Sequence, residues 1–404
     1  MATETPGTDD RPRRFTVPMV ARDAGENHRV STPLELLFDL TFVVAVGQAA
    51  KSLAFEIEEA HLGTAVAGYL MVFFAIWWAW MNFSWFASAY DTDDAPYRLL
   101  TLLQMAGVLV LAAGVPSALE ESDLTTVTVG YILMRLAMIG QWLRAARSDP
   151  GHRRVGVRYA GAVTVVQVGW VLRLFLPDDL RLVSFLVLAA SELAVPLWAE
   201  RGNSTTWHPH HIAERYGLFT IIVLGESVLA AMVAVQSSVE EGGWTMDVVL
   251  LFGGGLALIF ALWWIYYLKP AGEGLSRRPE FSFLWGYGHY GIFAALAALG
   301  AGLEVAAAAN SHHIEASDTV VAFSVAIPVA VFLILVWAIH APLAGARPGD
   351  LPTVLTAMTF TLAFAGLVGV GLPLPVAVAA MALPPAGIVL SAVLTGRDPS
   401  LKRA

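Results

Sequence analysis

Asp39, Arg135, Glu192, Glu226 and His289 are ionisable residues set inside long apolar stretches; Glu35, His211, Glu214 and Arg215 stand nearer the ends of such stretches. At the centre of a membrane helix each such group costs roughly 2.5–3.5 kcal/mol on insertion scales. Groups kept at that cost face the bundle interior or water and pair with one another. These nine residues are therefore the candidates for a substrate or proton path. The competing reading is a set of structural ion pairs that fix helix packing.

The densest segment is His208-Pro209-His210-His211-Ile212-Ala213-Glu214-Arg215. Pro209 suits a first helical turn, where a missing N–H costs nothing. On an α-helix His211, Arg215 and Glu226 fall at about 0°, 40° and 60°, one stripe, with Arg215 and Glu226 about 16 Å apart along the axis. Two histidines with a carboxylate can hold zinc. The spacing, however, matches no H-E-x-x-H pattern, so no metal is expected. Glu35 and Asp39 are at i,i+4 and share a face. Thr32-Pro33 ahead of Glu35 reads as a helix start, which accounts for Glu35. It does not account for Asp39, which lies deeper. Arg135 needs a carboxylate, and Glu192 is the candidate. Glu304, ending an apolar stretch, joins Glu35 as a second-tier candidate. Trp77-Trp78 and Trp263-Trp264-Ile265-Tyr266-Tyr267 read as aromatic belts at helix ends. Gly253-Gly254-Gly255 allows either close helix contact or local unwinding. No phosphate loop, nucleophile elbow or dinucleotide fingerprint occurs in a supporting context. No cofactor is expected and no catalytic residue can be assigned.

The elements that position these residues follow from composition. Of 404 residues 57% are hydrophobic and only 14% charged, against about 25% charged in ordinary soluble proteins. A soluble enzyme and a disordered chain are both excluded. With no cysteine, disulfide frameworks and thiolate metal sites are excluded too. Apolar stretches long enough to cross ~30 Å of hydrocarbon fall near 34–54, 62–84, 98–117, 124–145, 156–176, 180–200, 210–236, 246–268, 284–305, 318–340, 351–371 and 374–395. The fold class is thus all-α, a polytopic integral membrane protein of twelve transmembrane helices. No signal-peptide pattern follows the polar residues 1–30, which read as a partly disordered arm. With alternating crossings, twenty of the 24 Lys and Arg residues lie on the side of the N-terminus and three on the other. The positive-inside rule then predicts both termini in the cytoplasm, in a bacterial inner membrane.

Leu40–Ala50 resembles Leu218–Val228, Trp77-Trp78 matches Trp263-Trp264, and Leu119-Glu120 matches Leu303-Glu304. The pattern suggests a tandem six-plus-six parallel repeat. It divides the chain into an arm at 1–30, helical halves at 31–200 and 201–396, and a tail at 397–404.

Glu35-Leu36-Leu37-Phe38-Asp39-Leu40-Thr41-Phe42-Val43 resembles the segment that opens the bacterial low temperature requirement protein A family. The run from His211 to Ser227, with His-Ile-Ala-Glu-Arg-Tyr-Gly at its start and Leu-Gly-Glu-Ser at its end, is similar to that family's second block. Gly286-Tyr287-Gly288-His289 through Glu304 is similar to a third. The resemblance covers about 30–395; Leu37 and Thr41 depart from the commoner Phe and Val. It implies a multi-pass bacterial membrane protein linked by name to growth in the cold, and it brings no substrate.

The repeat favours a secondary transporter or proton/ion-coupled permease, with a site between the halves. The alternatives are an intramembrane enzyme acting on a lipid-like substrate, with the same acids and histidines as general acid and base, and a non-catalytic structural or sensory membrane protein. The expected partners are membrane lipids and a small molecule or ion. Nothing points to nucleic acid, and oligomerisation stays open.

Overall fold

The computed structural model describes residues 15–23, 30–311, 314–344 and 350–396. Its helices in chain order are α1 (Pro33–Glu58), α2 (Leu62–Tyr90), α3 (Ala95–Ala113), the short α4 (Val115–Glu120), α5 (Thr125–Ser148), α6 (Arg153–Arg173) and α7 (Arg181–Ala199). The second half follows with α8 (Pro209–Gly242), α9 (Met246–Tyr267), α10 (Ala271–Arg277), α11 (Ser282–Ser311), α12 (Asp318–Ala344), α13 (Asp350–Val368), α14 (Leu374–Met381) and α15 (Leu383–Leu394). No strand occurs among the described residues. Twelve helical segments are long and apolar enough to cross a membrane, α14 and α15 together making the last. Each coincides with one of the expected stretches, including the division at Pro373.

The starts are written in local chemistry. Thr32 accepts from the Glu35 N–H, and Pro33 occupies the first turn. Asp94 accepts from Tyr97 ahead of α3. His208 accepts from His211, with Pro209 at the first position of α8. These are side chains serving the otherwise unpartnered N–H groups of a helix start.

Loop contacts sort the helix ends onto two faces. On one face Val17 donates to Asp94 (2.9 Å), Arg144 to the same carboxylate (2.7 Å), and the His208 N–H to Ser88 (3.0 Å). Lys269 meets Asp350 at 3.3 Å on that face, and Arg278 donates to the Pro342 carbonyl. On the opposite face Arg181 reaches the Ser122 carbonyl, Glu315 and Ala316 donate to the Glu58 carbonyl, and Ser238 bonds Ser311. This is the alternation on which the arginine count rests.

The expected arm partly departs from expectation. Its residues 1–14 and 24–29 lie outside the described residues, as does the tail at 397–404. Residues 15–23, though non-helical, are seated on the bundle: Met19 is buried, and Ala21 donates to Asp149 while Arg22 donates to the Ala89 carbonyl.

At the centre lies α11, packed against α8, α12 and α1 and buried over most of its length. At the periphery, α7 presents Leu182, Val183, Leu186 and Val187 outward, the apolar surface a lipid-facing helix needs. The glycine triplet of α9 is continuous helix. Its Gly254 faces the backbone of Ala379 on α14, where an added Cβ would come within 2.6 Å of the Ala379 Cα. Close contact, not unwinding, explains it. The belt reading of Trp77 and Trp78 fails: both are buried inside α2's packing, at 1% and 0% exposure. A belt faces lipid at the interface; these indoles face protein. Trp263 and Trp264 are partly exposed, as a belt requires.

Candidate functional site

Four charged or titratable side chains, all wholly buried, meet between α1 and α8. Arg215 donates through Nε to Asp39 Oδ2 at 3.0 Å and through a terminal nitrogen to Oδ1 at 2.6 Å, a two-pronged charge-assisted pair. Its other terminal nitrogen lies 3.2 Å from Glu35 Oε1, and His211 Nε2 lies 3.2 Å from the same oxygen. The second Glu35 oxygen accepts the Thr32 N–H at 2.8 Å, closing a capping box. Glu35 therefore does two jobs, one per oxygen. The i,i+4 spacing of Glu35 and Asp39 on α1 faces the i,i+4 spacing of His211 and Arg215 on α8, so the two helices interlock by charge. Glu214 points elsewhere, to the Ser31 N–H at 3.3 Å.

The arithmetic of this cluster is uneven. Among the described residues two carboxylates face one guanidinium, so with His211 neutral that set carries one surplus negative charge. One added proton, on His211 or on Glu35, balances it. Buried charge is tolerated when paired.

Arg135 and Glu192 make a different kind of site. They meet at 2.9 Å between α5 and α7, both 1% exposed. Trp78, Tyr131 and Trp170 all donate to the Glu192 carboxylate, at 2.8, 3.0 and 3.2 Å. Arg135 also donates to the Tyr131 hydroxyl and covers its ring at 4.7 Å. One charge answers one charge, and the carboxylate is fully served. This is the arrangement of a structural pair.

His289 joins neither. Its Nδ1 lies 2.7 Å from the Trp285 carbonyl, which can only accept, so Nδ1 carries the proton. Nε2 then accepts from the Tyr266 hydroxyl at 2.9 Å. His289 and the first cluster are nonetheless linked by rings: Trp80 donates to Asp39 at 2.7 Å and packs on Tyr216, which packs edge-on against His289.

Glu226 stands on the same stripe of α8 as His211 and Arg215, and that stripe faces α1 along its length. Its carboxyl occupies the space above Gly47, where a Cβ would collide with it. The expectation that such groups pair with one another does not hold for Glu226 with its stripe-mates His211 and Arg215. It is half-buried, and no hydrogen bond or ion pair is made by it among the described residues. The 11 residues separating it from Arg215 carry it three turns beyond their reach. Glu304 on α11 is within electrostatic reach of Glu226, Glu58 and Lys51, a separate acidic group toward the opposite face.

Sequence reasoning missed the hydrogen-bonding aromatics. Trp80, Trp78, Tyr131 and Trp170 are the donors that make buried carboxylates tenable. The signal available was their mid-span position in helices that also needed to serve an acid.

Residues 30–394 match the family model described as bacterial low temperature requirement A protein (LtrA). An uncharacterized protein of Rhizobium meliloti (strain 1021) is 29% identical over 274 residues, 64% of this chain. The matched stretch spans 65% of that relative's length.

Proposed function

The chain belongs to the bacterial low temperature requirement A family, and from that premise and the buried charge cluster we propose that this multi-pass membrane protein is a proton-coupled secondary transporter. The observation that carries the reading is the set the described residues bring together between α1 and α8: two carboxylates, one guanidinium and one imidazole, all at 0% exposure. A site built only to hold helices together is served by one charge against one, as Arg135 and Glu192 are. A buried histidine beside two carboxylates and one guanidinium is a site that takes up and releases a proton as its surroundings change.

In this reading α1 and α8 open the two sequence halves, and their interface is where the halves move relative to each other. Binding or losing the proton at Glu35 or His211 changes the net charge of that interface by one, which biases one arrangement over the other. Asp39 and Arg215 hold the pair in register. The ring contacts through Trp80, Tyr216 and His289 tie this centre to the second half. The matched segments at Leu40–Ala50 and Leu218–Val228 support a parallel six-plus-six architecture, and the basic face supports an inner-membrane protein with cytoplasmic termini.

The experiment is solute-driven charge movement in proteoliposomes on a solid-supported membrane, run over a panel of solute classes at fixed pH gradient. At least one class gives a transient in wild type that vanishes in Glu35→Gln, a variant that keeps shape and leaves Asp39 and Arg215 balanced. A transient unchanged in Glu35→Gln and in His211→Gln rejects the cluster as the coupling site.

A further inference from the structure

A second site lies on the N-terminal face of the other half. A cavity of about 350 Å³ opens between α9, α10, α12, α13 and α15, within the size range of small-molecule sites. Leu268, Leu333, Val336 and Ile388 give it apolar walls. Its polar edge carries Lys269 with Asp350, and Arg277 with Glu273, two cations with two carboxylates among the described residues. Two groups there are left without partners. His340 is 97% buried, its Nδ1 donating to the Val336 carbonyl at 2.9 Å, and its Nε2 has no partner among the described residues. In the neutral imidazole Nε2 is therefore an acceptor wanting a donor. Trp337 Nε1–H is a buried donor wanting an acceptor. An unmet buried indole N–H beside a cavity-facing imidazole nitrogen calls for an explanation, and a ligand supplies one.

A neighbouring groove indicates the rest of that ligand. Between α13 and α15 an open, almost wholly apolar channel is lined by Pro352, Thr356, Phe360, Phe364, Leu383 and Gly387. It shares Thr353 and Ile388 with the polar cavity. Positions 352, 356, 360 and 364 form one helical face about 18 Å long, running from the helix end toward mid-bilayer. The cavity sits at the level of the helix ends, the depth of lipid head groups, and the groove descends from it.

We propose that this pair of spaces binds a membrane amphiphile whose head is zwitterionic, a phosphate with a primary ammonium, and whose chain lies in the α13–α15 groove. The phosphate faces Lys269, Arg277 and the Trp337 N–H. The ammonium gives one N–H to His340 Nε2 and faces Asp350. A quaternary ammonium has no N–H to give, and an anionic head competes with Asp350 and Glu273 for Lys269 and Arg277 without bringing a cation of its own. The inference does not depend on the transport reading.

The test is native mass spectrometry of the full chain released from nanodiscs holding equal parts phosphatidylethanolamine, phosphatidylcholine and phosphatidylglycerol with identical chains. Phosphatidylethanolamine is retained over both others by roughly two- to tenfold, the factor one net hydrogen bond supplies. His340→Phe brings it down to the phosphatidylcholine level. Gly387→Leu, at a position where an added side chain meets nothing nearby, fills the groove and lowers retention of all three. Free O-phosphoethanolamine leaves the melting temperature unchanged. Equal retention of the three lipids, a preference for phosphatidylglycerol, or a preference surviving His340→Phe overturns the head-group assignment. Stabilisation by free O-phosphoethanolamine overturns the lipid in favour of a soluble ligand. Wild-type selectivity and Gly387→Leu decide the matter even if His340→Phe does not fold.

Discussion

Asp39 and Glu192 show how the same side chain type is made tolerable in two ways, one leaving a charge over and one not. Glu192 is answered by Arg135 and three aromatic donors. Removing Arg135 alone strands a buried charge at about 3–5 kcal/mol, so Arg135→Met should lower the melting temperature sharply. Arg135→Met with Glu192→Gln should recover most of the loss. The cluster at Arg215 should behave otherwise: Arg215→Met with Asp39→Asn leaves Glu35 charged and stays destabilised until Glu35→Gln is added. Melting of the single, double and triple variants in one detergent checks both statements; rescue of Arg215→Met by Asp39→Asn alone would refute the second. At this scale the sequence revealed which residues were costly and that Arg135 needed a carboxylate, with Glu192 as the candidate. It could not show that Glu35 turns one oxygen to its own helix cap and the other to Arg215, nor that Glu226 would lie beyond reach of a partner, because both depend on how α1 and α8 are registered.

Helices here are fixed by their ends and by close approach along their flanks. Asp94 caps α3, holds Arg144, and accepts the Val17 N–H. Burial pushes its carboxyl up, but the Val17 and Tyr97 donors and Arg144 outweigh that and hold it below the usual carboxylate range. A folded value below the unfolded one contributes stability that is full above the unfolded value, ~3.9, and is lost as pH falls through the folded value. Residues 15–23 should therefore stay protected from hydrogen exchange at neutral pH and lose protection progressively once the pH falls below the ordinary carboxylate value. Asp94→Ala should lose it at all pH values, at a cost of about 1 kcal/mol for the cap alone; unchanged protection in that variant would show that Met19 burial suffices. Gly254→Ala should push α9 from α14, costing about 1–3 kcal/mol as other overpacked sites do, read as a lower melting temperature. Span positions were legible from apolar length alone, since hydrocarbon thickness sets it. The burial of Trp77 and Trp78 was not, because a tryptophan's sequence context does not say whether lipid or protein lies beside it.

For the whole molecule, the basic residues of one face and the proposed proton site at the α1–α8 interface are the two features that bear on function. Reporter fusions at Arg154 and Arg403 should read cytoplasmic and one near Glu241 external; an external reading at Arg154 would reverse the orientation. Helix number and alternation could be read from the chain because arginine placement and apolar length constrain them independently. Which helices would meet was not readable, since α1 packs on both α8 and α11 across more than 150 residues of intervening chain. The central claim is that the α1–α8 cluster takes up one proton. Infrared difference spectroscopy of the protein in lipid, stepped across the neutral pH range, tests it directly. Wild type should show a titrating carboxyl or imidazole signal from a buried site that is absent in Glu35→Gln and altered in His211→Gln; identical difference spectra for wild type and both variants would contradict the claim.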